Sequence, residues 1–406
     1  MAGAGYLQFV DGQVLTAAQV NTYLMEQAVM VFATATARST ALPSPSEGMV
    51  TYRLDGNIIE YYDGSAWVTV GSEWNTGKNA ILNSDFSINQ RAFTSTTTTG
   101  TYGFDRWVLI CSGGTNTYSA QTFTLGSAPV AGYESANYAR VISSGQSATT
   151  SSTILRQNIE SVRTFANTTV TVSFWARASA GTPKVAVELT QSFGSGGSPS
   201  ADVNTYAGQV TLSTAWTRFS VTVAVPSISG KTIGTTANTS SLILNLWTSA
   251  GSDFNSRTGS LGIQSTTIDF WGVQIERGSA ATTFTIATGT IEEELAACQR
   301  YYWRNSAGSA GQTYAVGQNL TTTLTAYAIQ HPVVMRVPVT SVDYSTLAVL
   351  DVNGNNVAVT AMTILGAGTL TSYVRSTVAA GLVAGNAGTL SANNNTAAYL
   401  GLSAEF

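Results

Sequence analysis

The feature that most constrains this chain is a series of short segments in which apolar and polar residues alternate. They read 170–178 (VTVSFWARA), 184–190 (KVAVELT), 216–225 (WTRFSVTVAV), 241–247 (SLILNLW) and 267–276 (TIDFWGVQIE), with Gly-, Ser- and Asn-rich stretches between them. Period-two alternation places successive side chains on opposite faces of a strand. Several such strands at short spacing predict a β-sandwich. The alternation also sorts faces. Val170, Val172, Phe174 and Ala176 share one face, as do Val185, Val187 and Leu189, and Leu242, Leu244 and Leu246. Trp175, Arg177, Glu188, Asn245 and Trp247 fall on the opposite side and are expected to line one solvent-facing sheet surface. Aromatic rings stack on apolar sugar faces while amides, guanidinium groups and carboxylates bond hydroxyls. These five are therefore the candidate ligand-binding residues. The competing expectation is that the two tryptophans pack under a loop or against a neighbouring subunit.

Composition fits such a chain. Of 406 residues only 10% are charged, against about 25% in an average soluble protein. The net charge of −4 offers no basic stripe for a phosphate backbone, so nucleic acid is not expected as a partner. No apolar run of about 18 residues occurs, so membrane insertion is not expected. The N-terminal MAGAGYLQFVDGQ lacks the basic and apolar regions of a signal peptide. Cys111 and Cys298 are too few and too distant to suggest a disulfide framework, and both are expected reduced and buried.

Three segments follow in order. Residues 1–72 open with Thr16-Ala17-Ala18-Gln19, a capping box that predicts a helix over 16–32. Its stripe of Val20, Leu24, Gln27 and Val31 suits packing on its own domain or the seam of a trimeric bundle. Asp-Gly pairs at 55–56 and 63–64 predict a three-stranded meander over 48–70. Residues 73–285 hold the sandwich. Residues 286–406 start with a second capping box, Thr290 and Glu293, then strand-like segments and an Asn353-Gly354 hairpin turn.

Catalytic constellations are thin. The one histidine, His331, precedes Pro332 and reads as a surface or turn residue; no G-x-S-x-G elbow accompanies it. A glycosidase needs two carboxylates roughly 5–10 Å apart. The in-domain candidates are Asp85, Asp105, Glu160, Glu188, Asp253, Asp269 and Glu276. Asp105 reads better as a partner of Arg106 or of loop amides, and Glu276 as a partner of Arg277 or the cap of the next turn. No metal-ligand spacing and no nucleotide-binding loop occurs. The chain is expected to be no enzyme and to need no cofactor and no metal.

The junction over 268–303 carries the most specific pattern. Phe270-Trp271-Gly272-Val273-Gln274-Ile275-Glu276-Arg277-Gly278, then Ala281-Thr282-Thr283-Phe284, then Glu294-Leu295 and Cys298-Gln299-Arg300-Tyr301-Tyr302, resembles the tail-fibre and receptor-binding proteins of bacteriophages. The opening, from Phe9-Val10-Asp11-Gly12 through Trp67, resembles the N-terminal module of structural proteins from phages of actinobacteria. Residues 79–303 are similar to carbohydrate-binding-module-like jelly rolls, and the C-terminal strands to the tumour-necrosis-factor-like sandwich of trimeric fibre tips. The resemblance implies a mainly β chain with an N-terminal helix and small meander, a central jelly roll and a C-terminal TNF-like β-sandwich. It implies a homotrimer in a virion, assembled in the host cytoplasm, that joins other virion structural proteins through its N-terminal module. A host cell-surface glycan would be its ligand, and the attachment tail, head or collar. The alternatives are a purely structural or decoration protein, or an enzyme degrading cell-wall polysaccharide.

Overall fold

A computed structural model describes residues 12, 14–20, 29–70, 77–351 and 353–406. The chain divides into two compact units, Met1–Asn75 and Thr76–Phe406.

In the first unit, helix α1 (Ala17–Val20) starts as expected: Thr16 Oγ1 accepts from Gln19 N at 3.2 Å, and Gln19 Oε1 from Thr16 N at 3.0 Å. The expected helix over 16–32 does not run its length. Residues 21–28 lie outside the described residues, and Met30–Phe32 form strand β1, paired in parallel with β2 (Val50–Arg53). Val31 and Phe32 suit a pleated surface better than a helix. A second helix α2 (Ala35–Ala41), capped by Thr34, follows β1. Strands β2, β3 (Ile58–Tyr62) and β4 (Trp67–Thr69) form the expected meander. Buried Arg38 pairs with Glu60 and stacks 4.6 Å from the Trp67 ring, holding α2 on the sheet.

The second unit begins with a sandwich. Its strands are β5 (Ser95–Thr96), β6 (Thr101–Tyr102), β7 (Val108–Ser112), β8 (Thr115–Thr122), β9 (Asn137–Ser144), β10 (Ser152–Glu160), β11 (Thr169–Ala178), β12 (Lys184–Ser192), β13 (Val203–Thr211), β14 (Thr217–Ala224), β15 (Ser241–Ala250) and β16 (Thr266–Arg277). One sheet has the order β13-β12-β15-β10-β7-β6 and the other β14-β11-β16-β9-β8-β5. They are called here the β15 sheet and the β16 sheet. The inward faces are those the alternation predicts: Val170, Val172 and Phe174 meet Val185, Val187, Leu242, Leu244 and Leu246 in one buried core. Between β15 and β16 a 3-10 turn (Ser252–Phe254) runs into the short helix α3 (Asn255–Thr258).

Helix α4 (Ile291–Gln299) leads on. Its capping box is formed: Thr290 Oγ1 accepts from Glu293 N, and Glu293 from Thr290 N. Buried Glu294 accepts from Asn83 N and from the Thr288 hydroxyl, which pins α4 to the start of the sandwich. Burial pushes its carboxyl above the usual range. The strands that follow are β17 (Tyr302–Ser306), β18 (Thr313–Asn319), β19 (Leu324–Gln330), β20 (Ser341–Ser345), β21 (Ala348–Leu350), β22 (Asn356–Ala367), β23 (Thr371–Val378), β24 (Ala387–Ser391) and β25 (Tyr399–Ser403). The mainly β expectation holds throughout. Where a TNF-like β-sandwich is expected, β18-β19-β23-β22-β21-β24 close on themselves as a barrel, beside a three-stranded sheet β17-β25-β20. Closure removes the edges of that sheet. His331 is not a surface residue. It is buried, with Nδ1 3.0 Å from Thr369 O and Nε2 2.9 Å from Ser372 Oγ, and so ties two strand ends together.

Sandwich and barrel are joined by guanidinium groups. Fully buried Arg106 pairs with Glu405, donates to Asn158 O and lies 3.4 Å from the Tyr301 ring centroid. Arg91 stacks 3.7 Å from Tyr302, and Arg336 donates to Ala404 O, Glu405 O and Asn238 O. Beside them, Asp105 accepts from Gln90 N and Gln90 Nε2, both at 2.8 Å. It therefore serves loop amides, not Arg106. Desolvation holds its carboxyl at about 6, partly offset by Arg91 and the Gln90 donors.

Two outcomes are expected. Glu405→Ala strands Arg106 and should destabilise the second unit by roughly 3–5 kcal/mol, read by calorimetry. The folded value for Asp105 exceeds the unfolded value of 3.8, so its contribution is full below 3.8 and lost as pH rises through about 6. Asp105→Asn should therefore flatten the fall in melting temperature across that window.

Candidate functional site

The five predicted residues do not share a surface. Trp175 and Arg177 lie on β11, on the outer face of the β16 sheet, while Glu188 (β12), Asn245 and Trp247 (β15) lie on the outer face of the β15 sheet. Strands β11 and β12 are consecutive yet belong to opposite sheets, so faces that match in alternation point away from each other.

Glu188, Asn245 and Trp247 are brought together, but beneath a cover. All three are 0% exposed, so none is solvent-facing as expected. Glu188 stands opposite Asn245 in the strand register. Its Oε2 accepts from Asn245 Nδ2 at 3.1 Å and Trp247 Nε1 at 2.9 Å. Arg257 on α3 completes the set as a fork, Nε to Oε1 at 2.6 Å and Nη2 to Oε2 at 3.0 Å. The Trp247 ring lies under this helix, 5.1 Å from Phe254, in a small core with Ile154, Ala186 and Leu261. A buried carboxylate is tolerable only with such a complete donor set. Glu188 is therefore scaffold, with its acceptor positions engaged within the protein.

Next to this hub the face is open and polar. Arg156 donates through Nε to Asn245 Oδ1 at 2.7 Å, and Thr190 donates to Asn204 Oδ1 at 2.9 Å. Burial lowers the Arg156 guanidinium, Arg257 adds repulsion, and Glu188 works against both. Tyr206, opposite Glu188 in register, is 38% exposed. It packs against Gly259, whose αL backbone (φ 61°) and missing Cβ make room: a Cβ there would meet Tyr206 Cζ at 2.4 Å. Half-buried Asn158 and exposed Asn204 flank the strip. The strip thus offers an aromatic ring, a guanidinium and side-chain amides, a set that suits polyhydroxylated chains. Arg156 and Asn158 were legible in the alternation of STILRQNIE. Arg257 and Tyr206 were not, because one sits on a single-turn helix too short to show a period and the other stands beside the bulge at Ala207 that breaks the β12–β13 register.

On the opposite sheet, Trp175 is half-buried. It meets Trp271 edge-on at 5.3 Å and Phe284 at 5.8 Å, with Arg218 4.7 Å from its ring. Gly272 (φ 61°) is required there, since a Cβ would stand 2.7 Å from Trp175 Cε3. This is the packing alternative, realised under the loop that carries Phe284. Glu276 caps the same loop, accepting from Thr282 N at 2.9 Å. Arg177 reaches Asp269 instead of the β15 face.

Residues 78–249 match the family described as Carbohydrate binding domain. That span contains Arg156, Glu188, Asn204, Tyr206, Asn245 and Trp247. No curated protein matches the chain. Among solved structures, the chain is similar to the CBM22-2 xylan-binding domain of Paenibacillus barcinonensis Xyn10C, at 19% identity over 43% of this chain and 92% of that one, with a TM-score of 0.27. It is similar also to the CBM22-1–GH10 modules of Clostridium thermocellum Xyn10B, at 12% identity over 50% and 29%, TM-score 0.28. A third likeness is to the enzymatically active domain of bacteriophage CBA120 tailspike protein 4, at 11% identity over 53% and 24%, TM-score 0.28.

Replacing Arg257 by Met should leave Glu188 buried with its fork unmade. A loss of roughly 3 kcal/mol is expected, with a changed Trp247 fluorescence maximum, in chemical denaturation followed by tryptophan emission.

Proposed function

We propose that the β15 face binds a glycan chain non-covalently, and that the protein is a bacteriophage fibre component (of a tail, head or collar) that attaches the virion to its host's surface. The observation that carries the first part is the match of residues 78–249 to a carbohydrate-binding family, together with the open strip of Arg156, Asn158, Asn204 and Tyr206 inside that span. The domain match supports carbohydrate binding in general. The glycan chemistry that suits the strip is polyhydroxylated: one ring to stack on, side-chain amides, and the Arg156 guanidinium beside the charge-balanced Glu188–Arg257 pair.

The fibre reading is supported by the junction motif over 268–303 and by a surface poor in charge, which depends little on salt. In this reading three copies act together, because a strip this small binds weakly and multivalency supplies avidity. The N-terminal unit joins other virion proteins, the particle carries the chain outside the cell, and no covalent step is involved.

The test is binding of labelled protein to intact host cells with isolated cell-wall glycans as competitors. Saturable binding blocked by a glycan is expected. Tyr206→Ala with Asn204→Ala should weaken it about tenfold or more at an unchanged melting temperature. Sedimentation should give three times 42.4 kDa. A folded protein that binds neither cells nor any wall glycan overturns the reading.

A further inference from the structure

The outer face of the β16 sheet holds a charged cluster that the strip on the other sheet does not use. Arg177 on β11 stands opposite Asp269 on β16, Asp269 opposite Arg140 on β9, and Arg140 opposite Ser119 on β8. Buried Asp269 accepts from Arg140 Nε at 2.7 Å and Nη2 at 3.0 Å, and from Arg177 Nε at 2.9 Å. Among the described residues the ion pairs of both guanidinium groups go to this one carboxylate. Two cations on one anion leave a net charge of +1. The arginine side chains remain 29% and 32% exposed, and the bonds described leave both Nη1 groups unused.

An aromatic platform adjoins them. Arg177 lies 4.9 Å from the Trp216 ring and 5.5 Å from that of Tyr138, and donates to Tyr138 Oη at 3.3 Å. Trp216 and Tyr138 meet edge to face at 5.4 Å. Stacking and the shared carboxylate fix both guanidinium planes in advance, so little side-chain freedom is lost when an anion arrives. Guanidinium forks match carboxylate and phosphate oxygens in geometry. A half-buried tryptophan beside them suits a sugar ring.

We infer that this face is a second saccharide site, specific for a sugar residue bearing an acidic group, a carboxylate or a phosphate. The acid bonds the Nη1 sides of Arg140 and Arg177, and the ring rests near Trp216. The site stands whether or not the β15 strip binds sugar.

Titration calorimetry on the full chain tests it, with tetragalacturonate and an oligomer of glycerol phosphate as separate acidic probes and cellotetraose as the neutral control. Saturable binding of at least one acidic probe is expected, weakening as salt rises. Which probe binds separates the carboxylate source from the phosphate source. Arg140→Gln with Arg177→Gln should lower the affinity about tenfold or more, and Tyr206→Ala on the other sheet should leave it unchanged. Because that double variant strands Asp269, the triple variant adding Asp269→Asn is measured beside it. In the unaltered protein, the Arg140 and Arg177 Nε–H resonances should shift saturably with the acidic probe. Binding of neither acid, equal binding of cellotetraose, or acid binding that both variants retain overturns the proposal.

Discussion

The second unit depends on how it neutralises buried arginine. Arg106 sits inside the seam between sandwich and barrel, where an unpaired guanidinium would cost several kcal/mol. Glu405 supplies the charge, Asn158 a carbonyl, and the Tyr301 ring a face for the cation. The Arg-Tyr-Tyr run at 300–302 thereby gains a mechanical meaning. Arg300 and Tyr301 both reach Glu160 on the sandwich, while Tyr302 carries Arg91 on its ring and offers its carbonyl to Gln90. Tyr302 Oη also donates to Asp343 on β20, so one short segment after α4 contacts both halves of the unit.

The same solution recurs on the sandwich faces. Glu188 gathers Arg257, Asn245 and Trp247, and Asp269 gathers Arg140 and Arg177. The two hubs differ in what they leave over. At Glu188 one carboxylate meets one guanidinium and the helix above closes the site. At Asp269 a second guanidinium is in excess and the face stays partly open. The difference decides which hub is scaffold and which carries unspent hydrogen-bonding capacity.

Much of this was legible in the chain. The strand segments, their inward residues and both capping boxes follow from local rules, because alternation and cap chemistry act over a few residues. The roles of Asp105 and Glu276 as acceptors for loop groups were also readable, since acids are few and these two stand in or just before a turn. What escaped was long-range. Alternation places Trp175 and Glu188 outward but cannot say that β11 and β12 belong to different sheets. Nothing local predicts that α3 lies over Trp247, that His331 is buried between strand ends, or that the C-terminal strands close into a barrel. The helix expected over 16–32 failed at Met30–Phe32, where an apolar stripe is equally compatible with a strand paired to β2.

The Arg106–Glu405 pair joins residues 299 positions apart. Contacts of such separation form late, after the entropy of closing the intervening chain has been met. The sandwich can collapse around its own apolar core first, yet Arg106 stays without its counter-charge until the barrel has folded and docked. The assembled unit should therefore mature in two kinetic stages, with the second acting as a checkpoint on the completeness of the first.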